Sequence, residues 1–331
     1  MSGAAPPELA RAALARWELP SAAELRFLRH GENTTYRVST REGDLALRLA
    51  RPGYQTAAAI HSEIAWMAAL RAAGITTPAP VRGRNGEAVQ EIQLADGQVQ
   101  LAVAFAWVDG VPLPEVVGLD PWQRLGEMMA RIHRHGQSWE PPDGFERPAW
   151  DLEALVGDAP RWGTPCPDGV WSNEDRSAIL AAREAVRERL QRFGTAAERY
   201  GLIHADLGFE NVLVQRDGAA VVIDFDDSGP SWFLYELASA LYPLEASARF
   251  ATCRDALVAG YRRLRPVPDE ELQELETFLM CRRLATLGWT FSRAETSHAQ
   301  RQRRRRLRSS GAAARRFLEW HAQRAARPAL A

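Results

Sequence analysis

The chain contains no lysine: all 41 of its basic residues are arginine. Chemistry that needs a Schiff-base lysine or a Walker lysine is therefore excluded. Cysteine is almost as scarce. Cys166, Cys253 and Cys281 are widely spaced and form no metal-ligand or redox pairing, which predicts buried apolar filler. Long apolar runs are missing as well. The longest, Leu101–Val108 and Ala219–Phe225, are strand-sized, far short of the ~18 residues a membrane helix needs. Met1–Pro20 has no signal-peptide apolar core, so a cytoplasmic protein without a membrane partner is expected. No excess of one charge exists either, since 41 basic against 42 acidic residues leave a net charge of −1. With 46% hydrophobic and 25% charged residues, the composition is that of a globular protein and excludes a disordered one. The length of 331 residues suggests two domains or lobes.

The pattern along the chain changes once. Residues 8–18 read as a short amphipathic helix. Leu25–Leu28, Thr35–Ser39, Leu45–Leu49, Glu91–Gln93 and Gln98–Val108 read as strands, each bounded by turn residues, with Arg41-Glu42-Gly43-Asp44 the best hairpin cue. Between them Thr56–Ala73 has helical spacing, with Ile60, Ile64, Met67 and Leu70 largely on one face and Gly74 as its stop. Beyond Gly110 helices dominate: Pro121–His135, Asn173–Arg192, and helical patterns from Trp232 to the end, separated by a loop-rich, Trp-containing stretch at Glu140–Gly169. The expected architecture is α+β, with a β-rich N-terminal lobe at 1–107 and a mainly helical C-terminal lobe at 108–331, the change falling near Trp107–Gly110.

One stretch carries chemistry. In Leu202–Asp227, His204, Asp206 and Asn211 fit the H-x-D-x-x-x-x-N catalytic-loop pattern, and an apolar run, Val221–Phe225, carries Asp224 where a metal-binding Asp is expected. Phosphoryl transfer needs these residue types. A carboxylate, Asp206, accepts or orients the acceptor hydroxyl's proton. A hard cation wants oxygen ligands, which Asn211 and Asp224 supply. Antiparallel pairing of Val212–Val214 with Val221–Phe225 around Arg216-Asp217-Gly218 would bring Asn211 and Asp224 together. Any one of these residues alone would be read as a capping or turn residue; the joint spacing is what is specific.

With these residues in hand, the sequence resembles the aminoglycoside phosphotransferase and choline kinase superfamily, whose fold is protein-kinase-like and two-lobed. The likeness runs from about Leu25 to Leu241 and is carried by Gly31–Val38, Leu45–Leu49, His204–Leu213, Val222–Asp227 and Trp232–Ala238. It implies ATP and Mg²⁺ as cofactors, His204 and Asp206 as catalytic residues, and Asn211 and Asp224 as metal ligands. Gly31, Thr34 and Thr35 would lie in the turn over the nucleotide phosphates, and Arg48 would contact them. Glu63 would pair with Arg48, and Ala106 C=O and Val108 N–H would meet the adenine edge. The resemblance also exposes departures. Ala205 replaces a usual Gly, and Glu236 replaces the Asp that braces the catalytic loop.

The reaction implied is transfer of a γ-phosphoryl group to the hydroxyl of a small polar molecule. A Ser/Thr protein kinase of the bacterial stress-response type is the alternative, and a nucleotide-binding pseudokinase a weaker one that the intact Asp206, Asn211 and Asp224 oppose. No A-P-E motif follows Asp224, which tilts the reading to a small molecule. Glu210, Asp226 and Asp227 suggest a cationic acceptor, although Asp226 and Asp227 also read as a solvated acidic turn. The Trp residues from Trp139 to Trp171 suit either an acceptor pocket or packing. The run Arg301–Arg308 lies in a chain that is not basic and has no interleaved aromatic, so nucleic acid is not an expected partner. His133 and His135, two apart at a helix end, read as dipole-compensating cations and not as a metal pair.

Overall fold

In a computed structural model of the chain, the described residues are 5–19, 24–94, 96–113 and 121–325. The outermost ends of the two expected lobes, and Met1–Ala4 and Pro20 of the N-terminal segment, lie outside the described residues. In chain order the first elements are α1 (Pro7–Leu14), β1 (Glu24–His30), β2 (Asn33–Thr40), β3 (Gly43–Ala50), α2 (Ala57–Ala72), β4 (Pro80–Val81), β5 (Val89–Gln93), β6 (Val99–Ala106) and β7 (Val111–Pro112). There follow α3 (Pro121–Ser138), α4 (Leu152–Val156), α5 (Asn173–Phe193), β8 (Tyr200–Ile203), β9 (Val212–Val214), β10 (Ala220–Val222) and β11 (Gly229–Trp232). The last are α6 (Phe233–Leu241), α7 (Phe250–Arg262), α8 (Asp269–Leu272), α9 (Leu275–Ser292) and α10 (Ser297–Ala325). This is the expected antiparallel N-terminal sheet and helical C-terminal part. Among the described residues, no helix is long and apolar enough to cross a membrane.

The chain forms two compact units, each built from several stretches. Unit 1 takes its described residues from Met1–Val117, Trp139–Pro148 and Phe209–Asp226. Its main sheet runs β1-β2-β3-β6-β4, with β5 also paired to β6, all antiparallel. The Arg41-Glu42 turn joins β2 to β3, closing Thr40 against Gly43. Side chains alternate across a strand, so β3 sends Leu47 and Leu49 into a core shared with Ala10, Ala13 and Trp17 around α1. Arg48 between them faces the other way. The register sets Thr35, Arg48 and Val103 side by side on that second face. A bulge in β1 between Phe27 and Arg29 puts Arg29 opposite Thr35 and so onto the same face. Helix α2 starts on Thr56, whose hydroxyl accepts Ala59 N–H at 3.0 Å, a cap that satisfies one orphan donor of the first turn. It stops at Gly74, φ +76°.

Unit 2 comprises Gly118–Ser138, Ala149–Gly208 and Asp227–Ala331, with the last residues beyond 325 outside the description. The pair β8–β11 lies against helices α3 and α6. Helices α3 and α7 cross at two glycines: a Cβ on Gly126 would lie 2.0 Å from Leu257 O, and one on Gly260 2.0 Å from Gln123 O. Only hydrogen fits there, so the two backbones approach closely. That contact fixes the α3 face carrying Leu125, Met129, Ile132 and His133, all fully buried. The three cysteines are buried.

Two differences from the sequence reading have physical causes. The expected strand Val221–Phe225 ends at Val222, because Asp224 takes φ +69°, a left-handed backbone that no ladder accommodates; Phe225–Asp227 is a short 3₁₀ turn. Helix α3 continues to Ser138, so His133 sits inside the helix and not at its charged end.

Candidate active site

In unit 1, Arg48 and Glu63 form the expected pair, and they form it twice over: Nη1 and Nη2 donate to Oε1 and Oε2, each at 2.7 Å. Both residues are buried. Burial acts to lower the Arg48 pKa, but Glu63, with Asp226 and Asp224 adding to it, holds it above its ordinary value. The guanidinium stays charged, and two bonds in its plane fix its orientation.

The proposed metal residues come together through the backbone. Ile223 N–H donates to Asn211 O at 3.0 Å, closing the β9–β10 hairpin so that Asn211 lies across from the start of the left-handed turn at Asp224. Arg29 pairs with the Asp224 carboxylate, so a cation already stands beside that residue. Among the described residues, no group of three or more His, Cys, Asp or Glu could hold a metal. One carboxylate with one amide oxygen nonetheless suits Mg²⁺, which is commonly held by one or two carboxylates together with substrate phosphates.

The turn Gly31–Thr35 divides its two threonines. Thr35 shares a sheet face with Arg48, whereas the buried Thr34 hydroxyl accepts Ala5 N–H at 3.0 Å and lies 2.9 Å from His30 Nδ1. Thr34 is thus turned away from Arg48. Gly31 N–H donates to Asn33 O at 2.9 Å, tightening the turn. Asn33 Nδ2 reaches the Asp226 carboxylate. Gln55 Nε2 and Arg147 Nη2 donate to Asp226 O, at 2.7 and 2.5 Å. Asp226 is therefore a buried anchor of its turn and not a solvated residue. Strand β6 ends at Ala106, and Val108 lies in the segment before β7.

In unit 2, His204, Ala205 and Asp206 of the motif are each held by hydrogen bonds. His204 is fully buried, and its Nδ1 accepts Asp206 N–H at 3.3 Å. Ala205 between them has φ +68°; with Asp224 it is one of two non-glycine residues in that region among the described ones. An L-residue there is strained by ~1–2 kcal/mol. Glu236 offsets that strain: its Oε1 accepts Ala205 N–H at 2.6 Å. The longer Glu therefore does reach the loop. Its Oε2 lies 2.6 Å from His133 Nε2, and His133 Nδ1 lies 2.8 Å from Tyr261 OH. Arg265 Nη1 donates to the same Tyr261 oxygen at 3.0 Å. Burial lowers the His133 pKa against the opposing pull of Glu236. The network then reads in one direction: Tyr261 O–H donates to Nδ1, and Nε2–H of neutral His133 donates to Glu236.

Asp206 itself is half-exposed and meets Arg282 of α9, Nη2 to Oδ1 at 2.5 Å. Asp227 is buried, and its carbonyl accepts Trp150 Nε1–H at 2.5 Å. The rings of Trp150 and Trp162 pack with centroids 4.6 Å apart, tilted at 60°. Glu210 of unit 1 is exposed. Sequence reasoning missed Arg29, Asn33, Arg147 and Arg282. A signal for the last exists: Arg282-Arg283 interrupts the largely apolar run Phe278–Leu287, and a buried charge implies a partner. Two concavities of unit 2, one lined by Arg189, Arg199 and Glu271 and one by Arg254, Glu276 and Trp320, contain none of the motif residues. Chemistry and not concavity locates the site.

Residues 24–272 match the profile described as the phosphotransferase enzyme family. The chain is similar to a structure described as the microcompartment-associated aminopropanol kinase, with 35% identity and a TM-score of 0.87 over 96% of this chain and 98% of that one. A homoserine kinase of Granulibacter bethesdensis is 28% identical over 80% of this chain and 79% of its own length. The fold is shared with amicoumacin kinase hAmiN, described in complex with AMP-PNP, Ca²⁺ and Ami: TM-score 0.74, 21% identity, 92% of each chain.

Proposed function

The chain belongs to the phosphotransferase enzyme family, a kinase acting on a hydroxyl of a small molecule, and on that premise we propose that it moves the γ-phosphoryl group of ATP, with Mg²⁺, to a small amino alcohol. The observation that carries the reading is the likeness to aminopropanol kinase over nearly the whole of both chains. The residues are of the right kind. Arg48, fixed by Glu63, and Thr35 on the same face bind phosphate oxygens, with Gly31 in the turn. Ala106 C=O and Val108 N–H take the adenine edge. Thr34, engaged on the other face, has no part in this reading. Asn211 and Asp224 would hold Mg²⁺, which when bound offsets charge on the phosphate oxygens.

Asp206 takes the acceptor's hydroxyl proton. The acceptor oxygen bonds to the γ-phosphorus as the bond to ADP breaks, and the proton passes through Asp206 to solvent, leaving a phosphate ester and ADP. His204 orders the loop from a buried position. In domain terms, unit 1 carries the nucleotide and unit 2 the hydroxyl base. An enzyme that consumes ATP works where ATP is made available, which supports a cytoplasmic place of action. The protein-kinase alternative finds no support: Ser228 leads directly through β11 into α6, leaving no segment for positioning a peptide.

The cationic character of the acceptor has narrower support than the acidic residues around the motif suggested. Asp206 and Asp224 are paired with Arg282 and Arg29, and Asp226 with Asn33. The test is transfer from labelled ATP to size-matched hydroxyl compounds, among them 1-amino-2-propanol, homoserine, propane-1,2-diol and lactate. The amino alcohol is expected to lead. Preference for lactate, or labelling of protein alone, overturns the reading.

A further inference from the structure

We propose that Arg282 is a positioning residue for phosphoryl transfer, holding the half-exposed Asp206 carboxylate in place for the acceptor hydroxyl. The inference rests on the reading of Asp206 as the hydroxyl base and goes beyond it to the residue that aims that base.

Among the described residues of unit 2, three buried arginines sit on carboxylates, and they differ in what they hold. Arg189 pairs with Glu274 and Arg283 with Glu245, whose side chains are 18% and 21% exposed. Arg282, itself 9% exposed at the side chain, ends on Asp206, which is 43% exposed. The first two pairs tie structure to structure. The third ties the interior to a carboxylate that remains open to a reactant.

Arg282 is also oriented more tightly than charge pairing alone requires. Its Nη1 donates to Tyr235 OH at 3.2 Å, and its guanidinium carbon lies 5.3 Å from the Trp162 ring centroid and 5.7 Å from that of Tyr235. A planar group bonded at one edge and flanked by two rings has little freedom. Burial acts to lower its pKa, yet Tyr235, Asp206 and Asp227 raise it beyond the ordinary value, so it is a permanent cation. A buried ion pair is poor value for stability compared with apolar packing, which leaves direction as its use. The guanidinium charge also offsets repulsion between the carboxylate and the incoming anionic phosphoryl group.

The experiment compares Arg282→Met, Asp206→Asn and the double variant, with ATP and 1-amino-2-propanol. Release of ADP in its absence measures transfer to water as a second acceptor. Arg282→Met is expected to lower kcat about 10–100-fold while nucleotide affinity, read by calorimetry, stays at the parental value. Added guanidinium ion is expected to restore part of the loss, which a purely structural defect would not allow. On the Asp206→Asn background the Arg282 change is expected to cost less than about twofold, because both act through one carboxylate. If Arg282→Met does not fold, Arg282→Gln, closer in shape, is expected to lose at least about tenfold in kcat. Parental kcat in either Arg282 variant beside an inactive Asp206→Asn overturns the inference alone, as does a double variant showing the full product of the two losses. Parental turnover in Asp206→Asn instead removes the reading beneath it.

Discussion

The two units handle buried charge differently. In unit 1 the pair Arg48–Glu63 is closed on itself by residues 15 positions apart. In unit 2 the catalytic segment is supported from a distance: Arg282 comes from 76 positions beyond Asp206, and His133 and Glu236, 103 positions apart, join under Ala205. In the proposed reaction the cation fixed in unit 1 meets phosphate, and the anion and strained peptide fixed in unit 2 meet the hydroxyl. Loss of a unit 1 residue should therefore appear in nucleotide affinity, and loss of a unit 2 residue in turnover.

The largest effect expected is from Asp206→Asn, which keeps shape and removes the proton acceptor. Turnover should fall by ~10²–10⁴ with nucleotide affinity retained in calorimetry. A matching loss of nucleotide affinity would break the division. Next is Glu63→Ala. Removing one member of a buried pair strands the other, at a cost of ~3–5 kcal/mol in stability, to be read by urea unfolding. The surviving protein should bind nucleotide more weakly, since Arg48 loses both bonds that orient it. Parental stability would mean that Arg48 finds water in place of Glu63.

What the sequence made legible follows the difference between local pattern and distant contact. Strands β1 to β3 were readable as short apolar or β-forming runs between turn residues, and the Arg48–Glu63 pair follows from the resemblance. The spacing of His204, Asp206, Asn211 and Asp224 is contiguous and was equally readable. The partners of the catalytic segment were not. His133 lies on a helix whose position is set by the close crossing at Gly126 and Gly260, and nothing local to His133 encodes that. The burial of Asp226 depends on Asn33, Gln55 and Arg147 from three distant segments. The left-handed turn at Asp224 replaced an expected strand because periodicity carries no signal for a single backbone reversal.

Two smaller effects sharpen the comparison within unit 2. The His133 pKa is depressed by burial, so the folded state resists a proton that the unfolded chain accepts. Its contribution to stability is present above the ordinary histidine value of ~6.5 and is lost as pH falls through the lowered folded value. His321 shares this sign, so the contribution of His133 is read as a difference. Thermal midpoints from pH 8 to pH 5 should fall more steeply in the parent than in His133→Gln; parallel curves would place the titration elsewhere. The smallest effect is that of Ala205→Gly. Relief of the left-handed φ should raise stability by up to about 1 kcal/mol, offset in part by the greater freedom of glycine in the unfolded chain. A clear loss would mean that the Ala205 methyl group packs usefully.

The most direct test of the whole account is phosphorus NMR of the product formed from ATP and 1-amino-2-propanol by the parent protein and by Asp206→Asn. The account predicts a phosphate monoester on the hydroxyl oxygen, appearing in step with ADP, and its near disappearance in Asp206→Asn. Phosphate on the amine, inorganic phosphate alone, or an equal rate of ester formation in the variant would contradict it.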